Sequence, residues 1–322
     1  MMAYESFAID PEEQRATRAA WLYFVAGLTQ AQIGKRLGLN RSRVNRLLAE
    51  ARSQGLVQIR ITGRLSECVE LEERLKTQYG LQDATVVPTP PDQSLIPNVI
   101  ATAAGAALAA RLKDGMSVGV GWGRTLRLSI QSVPRRSYNR LSVVSLMGGL
   151  TRGAAMNPYE TASHLADVID AQCYYVAAPA LTDTDLTRDL LMAQPMLREV
   201  FQKAEGVDLA FVSVGELAHG NTMSRIGLVS NSDVDELLRA GAVGDICARW
   251  IDREGQLVDH PLNSRVVAIS HEQLKKIPCV MIASGGRAKT AALRGVLKGG
   301  IAGAVITDEE TAKAVLAMEA PR

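Results

Sequence analysis

Three glycine-rich segments contain most of the residues that could bind a small molecule. The first, VGVGWGRTL, places Gly121, Trp122, Gly123, Arg124 and Thr125 between a predicted strand and a predicted helix. Main-chain N–H groups at such a turn can bind an anion, while Thr125 adds a hydroxyl group and Arg124 a positive charge. The spacing is not GxGxxG, and the next predicted strand ends in glycines rather than an acid, which disfavours a dinucleotide site. The segment predicts a site for a phosphate or hydroxyl group, with a plain tight turn as the alternative.

The other two segments each contribute one charged side chain. SGGRAKT carries Lys289, whose ammonium group could reach a phosphate or a hydroxyl group, although it could also be an exposed lysine on a helix. AGAVGDICARW carries Asp245, which could accept hydrogen bonds from hydroxyl groups. Taken alone, Asp245 is interpreted more simply as a helix cap.

Residues typical of enzymes and metal sites are poorly represented. The four histidines lack metal-ligand spacing, no serine lies in a GxSxG motif, and the four cysteines match neither a disulfide framework nor a zinc site. His219 is the best candidate for a catalytic group, but a solvated loop histidine is the preferred interpretation. The sequence therefore predicts no catalytic residue, no metal and no cofactor, and the thiols are expected to be reduced in a cytoplasmic protein.

Positive charge is concentrated near the N-terminus. Residues 28–60 contain seven Lys or Arg residues and one acidic residue, whereas the whole chain has a net charge of only +2. A basic module on a nearly neutral body suggests a polyanionic partner such as DNA, with a solvated helix face as the alternative.

The periodicity of this basic module favours a helix-turn-helix. A first helix is predicted over Thr29–Leu37 with Thr29 as its N-cap, and a second begins after Asn40. Gly34 lies where the two helices must cross closely, and Gly38 ends the first helix. A supporting helix is expected over residues 14–27, and Gly55–Ile61 alternates like a short wing strand.

The second of these helices carries side chains suited to the major groove. Arginine can bind guanine, asparagine can bind adenine, and serine can bind phosphate or a base edge. Arg43 and Arg46 are expected to face outward. The predicted DNA-binding residues are Gln30, Asn40, Arg41, Ser42, Arg43, Asn45 and Arg46.

The remainder of the chain alternates predicted helices and strands. Strands at Ser117–Val120 and Val280–Ala283, for example, each lead into a glycine-rich turn and a helix. This rhythm predicts a doubly wound, mostly parallel α/β domain that binds its ligand at the carboxyl edge of the sheet. The fold class is thus α/β, with a small all-α helix-turn-helix head and a short wing in residues 1–62, and an effector domain in residues 63–322.

The combined motifs resemble the SorC family of sugar-responsive bacterial transcriptional regulators. The resemblance runs from about Thr17 to Ala314 and rests on the helix-turn-helix together with GWGRTL, MGGL, NPYE, AAPA, GAVGDI, SGGRAKTAALRGVLKGG and VITDEETA. It implies an effector domain similar to sugar-phosphate isomerases and deaminases, and a homotetramer that binds double-stranded operator DNA. The implied effector is a sugar, a polyol or a sugar phosphate.

The resemblance also implies which residues would contact the effector. Gly121–Thr125 would hold a phosphate or hydroxyl group, Gly148 and Gly149 would line the pocket, and Asp245 and Lys289 would contact the sugar. The loop GELAHGNTMS contains Glu216 and His219 but lacks the acid–base motif of the related enzymes, which weakens an enzymatic interpretation.

The expected function is that of a ligand-responsive DNA-binding regulator of a carbohydrate or polyol catabolism operon. A sugar-phosphate isomerase-like or deaminase-like enzyme with a fused head is the alternative, and a protein-interaction hairpin on a structural body is a third. No run of about 18 uninterrupted apolar residues occurs, and the N-terminal segment is polar and acidic. We therefore expect a cytoplasmic protein without a membrane partner.

Overall fold

Three helices form the N-terminal unit. The computed structural model describes residues 11–57, 66–150 and 157–318, and the chain divides into two compact units, Met1–Thr62 and Gly63–Arg322. The helices of the first unit are α1 (Pro11–Phe24), α2 (Gln30–Leu37) and α3 (Arg41–Ser53). The predicted wing strand falls largely on residues 58–61, which lie outside the described residues.

Apolar side chains from all three helices form the core of this unit. Ala19 of α1, Ile33 of α2, and Val44 and Leu47 of α3 are fully buried. Ile33, Leu37, Val44 and Leu47 recur at helical spacing, so each helix presents one apolar side to the others. The sequence-based helix-turn-helix prediction is thereby confirmed.

The second unit contains a seven-stranded sheet. Its strand order is β1-β10-β9-β5-β2-β3-β4, and every neighbouring pair is parallel. A separate antiparallel sheet has the order β6-β7-β8. The strands are β1 (Asp83–Val87), β2 (Ser117–Val120), β3 (Ser142–Gly149), β4 (Gln172–Pro179), β5 (Leu209–Val212), β6 (Val214–Glu216), β7 (Gly244–Ile246), β8 (Arg249–Ile251), β9 (Val280–Ala283) and β10 (Ala304–Asp308).

Helices connect the parallel strands and cover the sheet. Two apolar clusters surround it, one containing Leu126 of the helix after β2 and the other containing Leu293 of the helix after β9. The helices are α4 (Ser66–Tyr79), α5 (Ile96–Arg111), α6 (Arg124–Ile130), α7 (Pro158–Ile169), α8 (Asp185–Met192), α9 (Pro195–Glu205), α10 (Thr222–Arg225), α11 (Asn231–Arg239), α12 (Pro261–Arg265), α13 (His271–Lys276), α14 (Thr290–Lys298) and α15 (Glu309–Ala317). The predicted parallel α/β architecture is confirmed.

One segment, Gln93–Arg111, is long and apolar enough to cross a membrane by length and composition alone. The core helix of a globular domain passes the same test, so this is weak evidence for a membrane span. In α5, Ile100, Ala104 and Leu108 are almost completely buried in the apolar cluster that also contains α6 and α7. One side of α5 therefore packs into the core of the second unit.

Candidate functional site

The ends of α2 are set by local hydrogen bonds. The Thr29 hydroxyl accepts from the main-chain N–H of Gln32 at 3.4 Å, and the Gln32 side chain accepts from the main-chain N–H of Thr29 at 2.9 Å. This capping box uses two N–H groups that the helix itself leaves unpaired. At the other end, Gly38 has a φ of 68°, a left-handed conformation that glycine adopts at little cost.

Close approach of α2 to the following turn requires glycine at position 34. A Cβ atom built on Gly34 would lie 2.5 Å from the main-chain oxygen of Leu39. That oxygen belongs to the backbone and cannot move without displacing the start of α3. Gly34 therefore sets how closely α2 and α3 can be joined, as the sequence pattern predicts.

The start of α3 exposes most of the predicted DNA-binding side chains. Asn40 caps the helix, because its side-chain oxygen accepts from the main-chain N–H of Arg43 at 2.8 Å. The Nε group of Arg41 donates to the side-chain oxygen of Gln30 at 3.3 Å, which joins α3 to the first residue of α2. The exposed members of the predicted set are Asn40, Arg41, Ser42, Asn45 and Arg46.

Arg43 was expected to face outward, and the structure shows that this expectation is wrong. Its guanidinium group forms an ion pair with Glu12 of α1, and only a quarter of its side chain is exposed. The partner lies far back in the sequence, so the spacing within α3 could not reveal it. Arg46, with 65% of its side chain exposed, is the freer of the two arginines.

A pocket lined by both polar and apolar residues opens in the second unit where β2, β5 and the antiparallel sheet meet. Side chains and turns from four separate parts of the chain line it. We call it the Asp245 pocket, and its lining residues are Trp122, Gly123, Arg124, Ser213, Val214, Gly215, Glu216, Asn221, Thr222, Met223, Asp245 and Lys289.

Asp245 lies in the middle of β7 and is 4% exposed, so the interpretation as a helix cap is wrong. Its carboxylate accepts from the main-chain N–H of Ala248 at 3.1 Å. Burial raises the pKa of Asp245 to about 7, although the Ala248 hydrogen bond and the charge of Lys289 both act to lower it. A carboxyl group in this state can accept or donate a hydrogen bond near neutral pH.

Lys289 ends the short 3-10 turn that precedes α14. Burial lowers the pKa of its ammonium group, while Glu216 and then Asp245 raise it. No acidic side chain of the described residues lies within ion-pair distance of Lys289, and the Ser213 hydroxyl of the same pocket has no hydrogen-bond partner among them. The pocket thus holds polar groups whose bonding capacity is not used within the described part of the chain.

Five of the nine predicted effector residues line the pocket, namely Trp122, Gly123, Arg124, Asp245 and Lys289. The other four, Gly121, Thr125, Gly148 and Gly149, are not among the lining residues. Added Cβ atoms at Gly148 and Gly149 would meet the carbonyl groups of Ala178 and Pro179 and the ring of Tyr159, respectively. The structure therefore places these two glycines where β3 packs closely against its neighbours.

Several lining residues were not selected from the sequence. Ser213 joins β5 to β6, and Asn221 donates from its side chain to the main-chain oxygen of Glu216 at 3.0 Å while capping α10. In the loop GELAHGNTMS, Glu216 lines the pocket together with Asn221, Thr222 and Met223, whose residue types alone do not indicate a site. His219 is exposed and pairs with Asp235 at 2.8 Å, outside the set of lining residues.

Each of the two units matches a known protein family. A family model described as "Putative sugar-binding domain" matches residues 63–317, and a model of the MarR family matches residues 19–64. The erythritol catabolism regulatory protein EryD of Brucella abortus is 34% identical over 309 residues, covering 95% of this chain and 98% of that protein. The transcriptional regulator LsrR of an Enterobacter species is 31% identical, covering 95% and 94%.

A solved structure is similar to this chain over almost its whole length. The full-length sorbitol operon regulator SorC from Klebsiella pneumoniae matches with a TM-score of 0.71 and 25% identity, covering 95% of this chain and all of that one. These relatives are transcriptional regulators and not enzymes, in agreement with the absence of a predicted catalytic residue in the sequence. With a helix-turn-helix unit followed by a sugar-binding domain, the chain belongs to the SorC family of sugar-binding transcriptional regulators.

Proposed function

We propose that this regulator controls a carbohydrate or polyol catabolism operon by binding an effector in the Asp245 pocket. The observation that carries the proposal is the meeting of Asp245 and Lys289 in one pocket. A carboxyl group can accept hydrogen bonds from hydroxyl groups, or donate to them when it is protonated. An ammonium group can donate to a hydroxyl or a phosphate oxygen. The effector is a sugar, a polyol or a sugar phosphate.

The pocket favours a small ligand with several hydroxyl groups. Glu216, Asp245 and Ser213 supply acceptors and a free hydroxyl group, while Trp122 and Met223 supply apolar contact. Such a mixture of polar and apolar side chains is typical of small-molecule sites. The names of EryD and SorC connect those relatives with erythritol and sorbitol, so linear polyols and their phosphates are the first compounds to consider.

The N-terminal unit is the proposed operator-binding part. In this proposal α3 enters the major groove, and Arg46 and Asn45 contact base edges while Ser42 and Arg41 contact bases or phosphates. Residues 1–62 bind DNA, and residues 63–322 bind the effector and mediate self-association into a homotetramer. The protein acts in the cytoplasm, where bacterial operator DNA lies.

A thermal-shift experiment identifies the effector. The full chain is heated with erythritol, sorbitol, other polyols, pentoses, hexoses and their phosphates, because a ligand that binds only the folded state raises Tm by mass action. One class of compound should raise Tm for wild-type protein but much less for Lys289→Ala and Asp245→Asn. A ligand that shifts all three proteins equally would place the effector elsewhere.

A further inference from the structure

Helix α8 exposes an apolar stripe. None of its eight residues is buried, and Leu186 and Leu190, one turn apart, are 65% and 60% exposed. Ala193 continues the same side of the helix, and Met196 at the start of α9 is 82% exposed. We call Leu186, Leu190, Ala193 and Met196 the α8 stripe. Removing apolar surface from water is favourable, so a contiguous exposed stripe is typical of an interface.

The charges at the two ends of the α8 stripe have opposite signs. Asp185 and Asp189 are exposed in the N-terminal part of α8; Asp189 pairs with Arg188 at 3.2 Å, so Asp185 carries the unpaired charge of this end among the described residues. At the other end, the guanidinium group of Arg198 donates to the main-chain oxygen of Ala193 at 3.3 Å and so lies over the end of the helix. If two copies of this surface met in antiparallel orientation, the acidic end of each would face the basic end of the other. The surface is therefore complementary to itself.

We propose that the α8 stripe packs against the α8 stripe of a second copy of this chain. The arrangement is antiparallel and two-fold, with Leu190 and Ala193 at the centre and Asp185 facing Arg198 of the other copy at each end. A two-fold interface uses the same patch on both subunits, as this charge pattern requires. Helix-turn-helix regulators bind paired half-sites through paired subunits, which favours a second copy over an unrelated partner.

A series of hydrogen-bonded segments joins α8 to the Asp245 pocket. The Nε group of Arg188 in α8 donates to the main-chain oxygen of Ser264 at 2.9 Å, and Arg265 Nε donates to the main-chain oxygen of Thr182 at 2.6 Å. The segment Pro261–Ile269 is thereby attached to the start of α8.

Arg249 holds other residues of the same segment. Its guanidinium group donates to the main-chain oxygens of Ile269, Asn263 and Ala268 at 2.9, 3.2 and 3.0 Å. Arg249 follows directly after the turn that Asp245 holds through Ala248. A ligand that displaces the Asp245 carboxylate would therefore act on the elements that support α8, a consequence that rests on the proposed function.

The interface is tested by measuring mass in solution. Sedimentation equilibrium of the full chain, without DNA or effector, compares wild type with Leu186→Glu/Leu190→Glu and with Leu238→Glu, which changes an exposed leucine of α11 as a control. We expect an assembled wild type, an unchanged control, and a double variant whose average mass is about half that of wild type or less. A monomeric wild type would contradict the proposed self-association. An assembled wild type with an unaffected double variant would contradict only the α8 interface.

A charge-exchange experiment tests the same interface without the leucine variant. Asp185→Arg and Arg198→Glu should each weaken self-association about threefold or more, since each creates two like-charge contacts in the two-fold pair. Combining both substitutions in one chain should restore the wild-type mass distribution. Failure of the combined variant to recover, with far-UV circular dichroism unchanged, would exclude the antiparallel pairing.

Discussion

The carboxylate of Asp245 accepts a hydrogen bond from the main-chain N–H of Ala248, 3.1 Å away, across the tight turn between β7 and β8. The two residues of that turn, Cys247 and Ala248, have φ values of 50° and 60°. Residues with a Cβ atom rarely adopt such values, and two-residue hairpin turns usually place asparagine or glycine there. Asp245 thus stabilises an unfavourable turn and at the same time lines the proposed effector pocket. If the effector binds in this pocket, one side chain connects ligand binding with local backbone conformation.

Replacing Asp245 with asparagine should change how stability depends on pH. Because burial raises the pKa of Asp245 from 3.8 to about 7, the folded protein binds this proton more tightly than the unfolded chain. The resulting stabilisation is complete below about pH 4 and is lost as the pH rises through about 7. Between pH 5 and pH 8 the free energy of unfolding should therefore decrease more for wild type than for Asp245→Asn.

Urea unfolding of the larger unit at pH 5, 6, 7 and 8 measures this difference. Asp259→Asn, a substitution at an exposed aspartate of the same unit, serves as the control and should follow wild type. Parallel pH profiles for wild type and Asp245→Asn would show that Asp245 does not titrate in this range.

Removing the ammonium group of Lys289 should separate two classes of effector. Charge-assisted hydrogen bonds are about twice as strong as neutral ones, so a phosphorylated effector should lose far more affinity in Lys289→Ala than a neutral polyol does. Isothermal titration of both proteins with a polyol and its phosphate gives the comparison. Lys298→Ala is the control, because Lys298 forms an ion pair with Glu254 and is not among the pocket-lining residues. Equal affinities for wild type and Lys289→Ala would remove Lys289 from the effector site.

On the DNA side, Arg46→Ala should weaken operator binding about tenfold or more without altering thermal unfolding. Its side chain is 65% exposed, and its ion pair with Glu50 at 3.7 Å is a surface pair that contributes little stability. A bidentate arginine–guanine contact is worth about 1–3 kcal/mol. Fluorescence anisotropy with the DNA upstream of the protein's own operon provides the measurement.

Two further variants are compared with Arg46→Ala. Arg18→Ala removes an exposed positive charge from α1 and should leave specific binding nearly intact. Arg43→Ala breaks the ion pair with Glu12, so we expect it to destabilise the packing of α1 on α3 as well as weaken binding. Operator affinity equal to wild type in Arg46→Ala would mean that α3 does not read bases through this residue.

Substitution of Gly34 should unfold the N-terminal unit selectively. A methyl group at this position would lie 2.5 Å from the Leu39 main-chain oxygen, so Gly34→Ala must displace backbone. Operator binding should be lost, while the effector-induced rise in Tm of the larger unit should persist. Lys35→Ala, at the adjacent exposed position of α2, is the matched control for thermal stability. If Gly34→Ala melts like the control, the close contact is more tolerant than the structure indicates.

Local signals explain which elements could be predicted from the sequence. Thr29, Gly34 and Asn40 contact residues only three to five positions away, so their roles in the helix-turn-helix could be predicted from the sequence. Strands β2 and β9 matched their predicted bounds because they are short buried apolar runs followed by glycine.

Long-range packing explains what the sequence did not reveal. The antiparallel sheet consists of three-residue strands, too short for a recognisable alternation, and this hid the true position of Asp245 in β7. The pairing of Arg43 with Glu12 depends on how α1 packs against α3. Ser213 and Asn221 reach the pocket only because β5, β6 and α10 bring them there.

The most direct test of the account is the effect of the effector on operator affinity in three proteins. Fluorescence anisotropy with labelled upstream DNA is measured with and without the compound that raises Tm most, for wild type, Asp245→Asn and Lys289→Ala. The coupling between two sites is typically about 1–3 kcal/mol, so the compound should change the wild-type Kd for DNA about fivefold or more. In both variants the Kd without compound should equal that of wild type and should not respond to the compound. A normal response in both variants would contradict the claim that the Asp245 pocket is where the effector acts.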